Sequence, residues 1–233
     1  MKQAILILVL FAVATLNAQD YVDVKYLPTS RTNVVYGTGT RFDGSTDTMR
    51  MNIHLPSNDN AASRPLVVWV HGGGFTGGSL NDFNSLCQLW ASRGYVAVTI
   101  SYRLGIYGAW PLDPPYAYDE AELLRACARS VQDVRGALRF LVKQRSEYKI
   151  DTSRIVIGGA SAGAIAVLHA ACVDENDSIP AVLGDIAPVQ RGTDAFPRPA
   201  LGPIDGTLHT DVATPSIRAV VNIFGGLFSL QFL

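Results

Sequence analysis

The sequence predicts an α/β fold in which a mostly parallel sheet is covered by helices on both faces. Two stretches carry this prediction, because in each an apolar run of strand length meets a glycine-rich turn. The first is Leu66–Val70, followed by HGGGF. The second is Arg154–Ile157, followed by GGASAG and by a helix of small residues over Ala162–Ala171. Buried strands that alternate with helices favour parallel pairing.

The second turn has the pattern Gly-x-Ser-x-Gly, centred on Ser161. Gly159 and Gly163 have no Cβ, so they permit a sharp turn that leaves the serine hydroxyl at its apex, next to the N–H groups of a helix N-terminus. Glycine and serine are also common in ordinary turns. A dinucleotide fingerprint is disfavoured, because Ala160 stands where the second glycine should be and the turn falls late in the chain.

The first turn contains three consecutive glycines, which permit N–H groups to point into a site where negative charge develops on a carbonyl oxygen. A phosphate-binding loop is disfavoured, because no Gly-Lys-Ser/Thr ending follows. His71 could act as a general base. We interpret it instead as a residue that structures the loop, since a base there would share space with the oxyanion donors.

Taken together, HGGGF followed by GASAG resembles the α/β-hydrolase esterases, near the hormone-sensitive-lipase-like and type B carboxylesterase groups. The likeness spans about residues 48–226. It includes VAVTISYRLG (96–105), which looks like the next strand, and DVRGALRFL (133–141), which resembles the helix before the elbow strand. The fold expected is therefore the α/β-hydrolase fold, with its last strands missing from this sequence.

The resemblance implies that Ser161 is the nucleophile. It also implies that the backbone N–H groups of Gly73, Gly74 and Ala162 form the oxyanion hole. One residue departs from those groups, because Ala160 precedes the serine where they usually have Asp or Glu.

Residues 1–18 are predicted to be a secretory signal peptide, with one lysine, an apolar run over Ala4–Leu16 and a small residue at Ala18. A retained membrane anchor is the minor alternative, since the run is short for a bilayer. The hydrolase domain would then span residues 19–233 of a secreted or periplasmic protein, and no stable membrane anchor is expected.

Composition is that of one globular domain, with 48% hydrophobic and 17% charged residues in a chain of 233. A net charge of −1 provides no basic field for nucleic acid. The pattern is compatible with small neutral esters, and it implies neither an organic cofactor nor a metal. The three cysteines, Cys87, Cys127 and Cys172, fit no metal-ligand spacing; one disulfide bond or three unpaired thiols remain open.

Other elements follow from periodicity. Antiparallel strands are predicted at Val22–Tyr26 and Met49–Leu55, and helices at Asn81–Arg93 and Asp119–Arg145. The carboxylates at the start of the second helix are expected to form a solvated face. A further buried strand is predicted at Arg218–Gly226.

Two irregular segments should lie near the site. The loop from Tyr107 to Tyr118 is rich in proline and aromatic residues, and Tyr107, Trp110 and Tyr116 either line a substrate pocket or pack the loop onto the body. The segment at about 174–215 is interpreted as a lid inserted over the active site.

A serine nucleophile needs a histidine to accept its proton and a carboxylate to orient that histidine. After Ser161 the sequence has His169, eight residues further along the same helix, and His209, which is a weak candidate with Asp205 and Asp211 nearby. A simpler hypothesis is that the sequence is incomplete at its C-terminus. The predicted function is an exported serine hydrolase that cleaves carboxylic esters through an acyl-enzyme; the alternative is an inactive fragment or a non-catalytic binding protein.

Overall fold

A computed structural model describes residues 21–106, 120–173, 177, 180–191 and 193–227. Its main sheet has six strands in the order β1-β2-β4-β3-β5-β8. The strands are β1 (Pro28–Thr40), β2 (Thr46–Pro56), β3 (Arg64–Val70), β4 (Val96–Ile100), β5 (Ile150–Ala160) and β8 (Ala219–Ile223). The helices are α1 (Asn84–Ala91), α2 (Glu120–Lys143), α3 (Arg145–Tyr148) and α4 (Ala162–Cys172).

The centre of the sheet is parallel, as the sequence predicts. Strands β4, β3, β5 and β8 pair in parallel, and every residue of β3 and β4 is buried. The antiparallel strands β1 and β2 extend the sheet on the β4 side. Since the carboxyl ends of the parallel strands meet at one edge, the turns after β3 and β5 lie next to each other there.

Helices cover both faces of the sheet. Helices α2 and α4 pack on one face over a core that includes Val68, Val98 and Ile157. Helix α1 packs on the other face, where Cys87 meets Trp69. The predicted α/β-hydrolase fold, with a mostly parallel sheet between helical layers, is confirmed.

The first strand is placed wrongly by the sequence pattern. Residues Val22–Tyr26 form no strand; Val22 and Val24 are exposed, and the N–H groups of Lys25 and Tyr26 both donate to the carbonyl of Ser92. The strand at this edge of the sheet is β1 instead. Most of its residues are exposed, so β1 lacks the alternation of apolar and polar residues by which a strand is predicted.

The start of helix α2 also differs from expectation. Glu122 is buried rather than solvated, within 3.9 Å of the Arg125 guanidinium and 3.7 Å of the Arg198 guanidinium. Buried carboxylates are found beside cations because an unpaired buried charge is costly. A pattern on one helix cannot reveal a partner 76 residues away, as Arg198 is from Glu122.

The segment predicted as a lid packs against helix α2 in its described part. It contains a 3₁₀ turn (Ala181–Leu183) and a separate two-stranded sheet formed by β6 (Ile186–Arg191) and β7 (Asp194–Arg198). Four buried side chains of α2 donate hydrogen bonds to its oxygens: Arg125, Gln132, Arg135 and Arg139. These bonds tie the segment to α2 rather than to the turn after β3.

The three cysteines are unpaired in the structure. Cys87 and Cys127 are buried on opposite faces of the sheet, while Cys172 is exposed at the end of α4. Burial raises the pKa of the Cys87 and Cys127 thiols to about 12, so both are inert at neutral pH. Among the described helices, none has both the length and the apolar character required to cross a membrane.

Candidate active site

Ser161 lies between the last residue of β5 and the first residue of α4. Its φ of 50° and ψ of −121° are rare for a residue with a side chain. The surrounding backbone holds this conformation, because the Ser161 N–H donates to the Ile223 carbonyl at 2.8 Å and its own carbonyl accepts from the Ile165 N–H at 3.0 Å. The residue is exposed, so its hydroxyl stands on a strained turn open to solvent.

Close backbone contact forms this turn. A Cβ on Gly163 would lie 2.2 Å from the Val70 carbonyl oxygen, and a Cβ on Gly159 would lie 2.4 Å from the Gly163 carbonyl carbon. Neither approach leaves room for a side chain. The two glycines of Gly-x-Ser-x-Gly are therefore required at these positions by packing.

The glycine loop after β3 touches the same turn. A Cβ on Gly72 would lie 2.8 Å from the Ala160 carbonyl oxygen and 3.2 Å from the Cβ of Ser161. The chain then bends at Gly73, whose carbonyl accepts hydrogen bonds of 3.0 Å from the N–H groups of both Thr76 and Gly77. Gly72 lies within the triple-glycine motif, but its sequence position does not predict this contact with the serine turn.

Three backbone N–H groups belong to the two turns that meet at Ser161. Gly73 and Gly74 are exposed, with φ of 109° and 59°, and their N–H groups donate no hydrogen bond to the described part of the chain. Ala162 is the first residue of α4, and the first N–H groups of a helix have no partner within it. Free donors beside a hydroxyl are the arrangement that stabilises an oxyanion in acyl transfer.

His71 structures the loop, in agreement with the sequence interpretation. Its Nδ1–H donates to the Gly72 carbonyl at 2.8 Å, and its buried ring stacks on Tyr102 with ring centroids 4.6 Å apart. The Tyr102 hydroxyl donates to the His71 carbonyl at 3.0 Å. Burial lowers the pKa of His71, so the imidazole is neutral at pH 7. Tyr102 is a residue whose role the sequence analysis missed, although it belongs to the quoted SYRLG stretch.

The two histidines after Ser161 both bind elsewhere. His169 is buried in α4, where its Nδ1–H donates to the Ile165 carbonyl at 2.9 Å. His209 donates from Nε2 to the Tyr36 carbonyl at 2.7 Å, and its ring packs on Phe140. Tyr36 belongs to β1, four strand positions from β5 in the sheet, a separation of about 19 Å at ordinary strand spacing. The structure therefore does not bring His209 to Ser161.

The two carboxylates near His209 are also engaged away from Ser161. Asp205 forms an ion pair with Arg135 of helix α2. Asp211 accepts a hydrogen bond of 3.1 Å from the Lys143 ammonium, which lowers the pKa of Asp211. Neither orients a histidine toward the turn.

The predicted pocket residues Tyr107, Trp110 and Tyr116 lie outside the described residues, as do residues 1–18. Within the described ranges, no group of three or more His, Cys, Asp or Glu side chains could hold a metal ion.

Fold and turn geometry together define a protein of the α/β-hydrolase class, with a serine on a strained strand-to-helix turn. A family model of the carboxylesterase family matches residues 21–177, which is more than half of the chain. The chain belongs to the carboxylesterase family.

Two curated relatives illustrate this membership. The chain is 33% identical over 134 residues to fumonisin B1 esterase of Sphingopyxis macrogoltabida, a match that covers 55% of this chain and 24% of the relative. It is 32% identical over 124 residues to pyrethroid hydrolase Ces2a of Mus musculus, covering 53% of this chain and 21% of the relative. The matches therefore span about a quarter or less of each relative's length.

The fold is also similar to that of a solved structure, a bifunctional GH43-CE protein of Bacteroides eggerthii. The TM-score is 0.53 at 20% sequence identity, and the similarity covers 84% of this chain and 21% of that chain. At this identity the likeness supports the fold alone.

Proposed function

We propose that the protein to which this chain belongs hydrolyses carboxylic esters, with Ser161 as the nucleophile of an acyl-enzyme. The observation that carries the proposal is the exposed serine on a turn with φ of 50°, in direct reach of the glycine loop. An alcohol in this setting can attack an ester carbonyl once a base accepts its proton. Membership of the carboxylesterase family supports the same chemistry.

The N–H groups of Gly73, Gly74 and Ala162 are proposed to bind the oxyanion of the tetrahedral intermediate. Two of them come from the loop after β3 and the third from the residue after the serine, the arrangement that strand-to-helix hydrolase turns use. Each donor of this kind contributes about 3 kcal/mol to the transition state. A small-molecule ester is the substrate class that agrees with the names of the two relatives, an esterase and a pyrethroid hydrolase.

Activity of these 233 residues is a separate proposal. Each of the four histidines forms its described hydrogen bonds away from the Ser161 hydroxyl: His54 with Ser30 and Asn84, His71 with Gly72, His169 with Ile165 and His209 with Tyr36. Without a base, serine is a poor nucleophile at pH 7. We therefore expect slow acylation and a residual rate of about 10³ over water from the oxyanion donors. This placement of the histidines also supports the second candidate function, binding of esters without turnover.

A chromogenic butyrate ester, followed by intact and peptide mass spectrometry, tests both statements. We expect a slowly formed butyryl adduct on Ser161, absent from Ser161→Ala and unchanged in Ser146→Ala, which removes an exposed hydroxyl elsewhere. An adduct that forms equally fast in Ser161→Ala would refute the nucleophile. Rapid turnover that His209→Ala abolishes would instead show that the chain supplies its own base.

Export is proposed from the first 18 residues. Expression in a secreting host should yield a product outside the cytoplasm whose N-terminus, read by mass spectrometry, begins near Gln19. Replacing Leu8 and Leu10 by Asp should retain the protein inside with its N-terminus uncleaved. A cytoplasmic product from the unaltered sequence would contradict the assignment.

A further inference from the structure

A cavity of about 500 Å³, separate from the turn at Ser161, lies between helix α2, the end of β1 and strand β7. The segment after β4 also lines it, through Arg103. Of the residues that the structure describes, seven charged side chains contribute to its wall: Arg41, Arg103, Arg125, Arg129 and Arg198, with Glu122 and Asp133. We refer to it as the arginine cavity. Among these described residues the arginines outnumber the carboxylates, and Arg125 and Arg41 donate to main-chain carbonyls instead.

The pairing inside the cavity is incomplete. Asp133 accepts hydrogen bonds from the Arg103 side chain at 2.9 Å and 3.0 Å, so this pair is satisfied. Arg129 is 2% exposed; one Nη donates to the Gly105 carbonyl at 3.0 Å, but its buried Nε has no acceptor among the described residues. Glu122 stands 3.9 Å from Arg125 and 3.7 Å from Arg198, too far for hydrogen bonds.

An unsatisfied buried guanidinium is expensive unless an acceptor reaches it. The planar fork of arginine matches the two oxygens of a carboxylate or phosphate. Arg129 presents its Nε–H from α2. Arg198 lines the same cavity from β7, where its Nε donates to the Ala187 carbonyl at 2.6 Å and its Nη1 lies 3.7 Å from Glu122. A cavity of this volume accommodates a molecule of several heavy atoms.

We propose that the arginine cavity binds a small oxyanion, of carboxylate or phosphate type, between Arg129 and Arg198. This site is separate from Ser161, and the proposal does not depend on the serine acting as a nucleophile. The cavity nevertheless adjoins the glycine loop, because Gly105 accepts from Arg129 and donates its own N–H to the Phe75 carbonyl at 2.7 Å.

Isothermal titration of the full chain with succinate and with inorganic phosphate tests the proposal and distinguishes the two anions. Succinamide serves as the neutral counterpart of succinate. We expect saturable one-to-one binding of at least one anion with a dissociation constant below about 10 mM, and none of succinamide. Arg198→Gln should weaken binding about tenfold, as loss of a charged hydrogen bond does.

Two further variants separate binding from damage to the fold. Glu122→Gln removes a negative charge from the cavity wall and should tighten anion binding several-fold, a gain that structural damage would not produce. Arg145→Gln, at an exposed arginine just beyond α2, should leave the affinity unchanged. Absence of saturable binding, equal binding of succinamide, or equal effects of Arg198→Gln and Arg145→Gln would overturn the proposal.

Discussion

The turn at Ser161 and the contact between helix α2 and the segment that follows α4 are stabilised by different interactions. At the turn, glycines permit backbone to contact backbone, and the closest approaches are between main-chain atoms. On helix α2, buried guanidinium groups reach carbonyl oxygens of the segment that follows α4. The glycine positions of the first region have no room for a side chain, whereas the second region depends on long side chains.

The comparison explains why one region is fragile to added atoms and the other to removed ones. A methyl group at the turn meets main-chain atoms that cannot move without disturbing β3 or α4. Truncation of an arginine on α2 leaves carbonyl oxygens and their dipoles without partners. Each mechanism predicts its own mutational signature.

The largest expected effect is that of Gly163→Ala. Its new Cβ would lie 2.2 Å from the Val70 carbonyl oxygen and 2.4 Å from the His71 carbonyl oxygen. Strand β3 and helix α4 must separate to relieve this overlap, so we expect a loss of about 3 kcal/mol or more in the free energy of unfolding. Urea denaturation followed by circular dichroism measures it.

Gly77→Ala is the matched control, because, apart from the two neighbouring residues in the chain, the nearest atom to a Cβ there would be the Gly73 carbonyl oxygen at 4.0 Å. It should change the free energy of unfolding by about 0.5 kcal/mol or less. Equal stability of the two variants would show that β3 and α4 are not in close contact at Gly163. It would also contradict the strained turn on which Ser161 is placed.

A smaller and more local effect is expected from Arg139→Ala. The Arg139 side chain donates to the carbonyls of Leu208 and Asp205, both at 2.7 Å, and to the Thr214 hydroxyl at 2.9 Å. Its loss should cost about 2 to 3 kcal/mol, since hydrogen bonds from a buried charge are among the stronger ones. Hydrogen exchange should accelerate in residues 201–214 while strand β5 stays protected.

Lys143→Ala provides the control on the same helix one turn later. Lys143 contacts Asp211, but both side chains are substantially exposed, and exposed ion pairs contribute little to stability, so we expect the free energy of unfolding to stay nearly unchanged. Uniform acceleration of exchange across the sheet in Arg139→Ala would contradict the idea that the segment opens as a separate unit.

The turn could be predicted from sequence because its determinants are local. Five consecutive residues contain both glycines and the serine, and the flanking strand and helix have distinct periodicities. The contact of Gly72 with Ala160 joins two such motifs, and only their shared sheet edge suggests it.

The docking of residues 180–214 could not be predicted in the same way. Arg125 binds a carbonyl 57 residues away, and Arg139 binds a hydroxyl 75 residues away. Every residue has a main-chain carbonyl, so the sequence does not show which carbonyls accept hydrogen bonds. An arginine that binds them therefore cannot be distinguished in the sequence from one that faces solvent. For the same reason the sequence does not predict that His209 lies beside β1, where it donates to the Tyr36 carbonyl.

The smallest expected effect concerns pH, and it separates the two regions again. Burial lowers the pKa of His71, so the unfolded chain binds a proton before the folded chain does. The contribution of His71 to the free energy of unfolding is therefore fully present above about pH 6.5, and it is lost as the pH falls toward the lowered pKa of the folded state. The arginines of helix α2 stay charged over this range, since even Arg129 has its pKa lowered by burial only to about 10.

The variant His71→Asn tests this difference, because its amide can still donate to the Gly72 carbonyl but does not titrate. Between pH 6.5 and 5.5 its free energy of unfolding should fall less than that of the unaltered chain, by up to about 1.4 kcal/mol per pH unit. Some acid sensitivity should persist, since burial also lowers the pKa of His54 and His169. Urea titrations at the two pH values measure the difference, and parallel losses in both proteins would show that protonation of His71 does not destabilise the glycine loop.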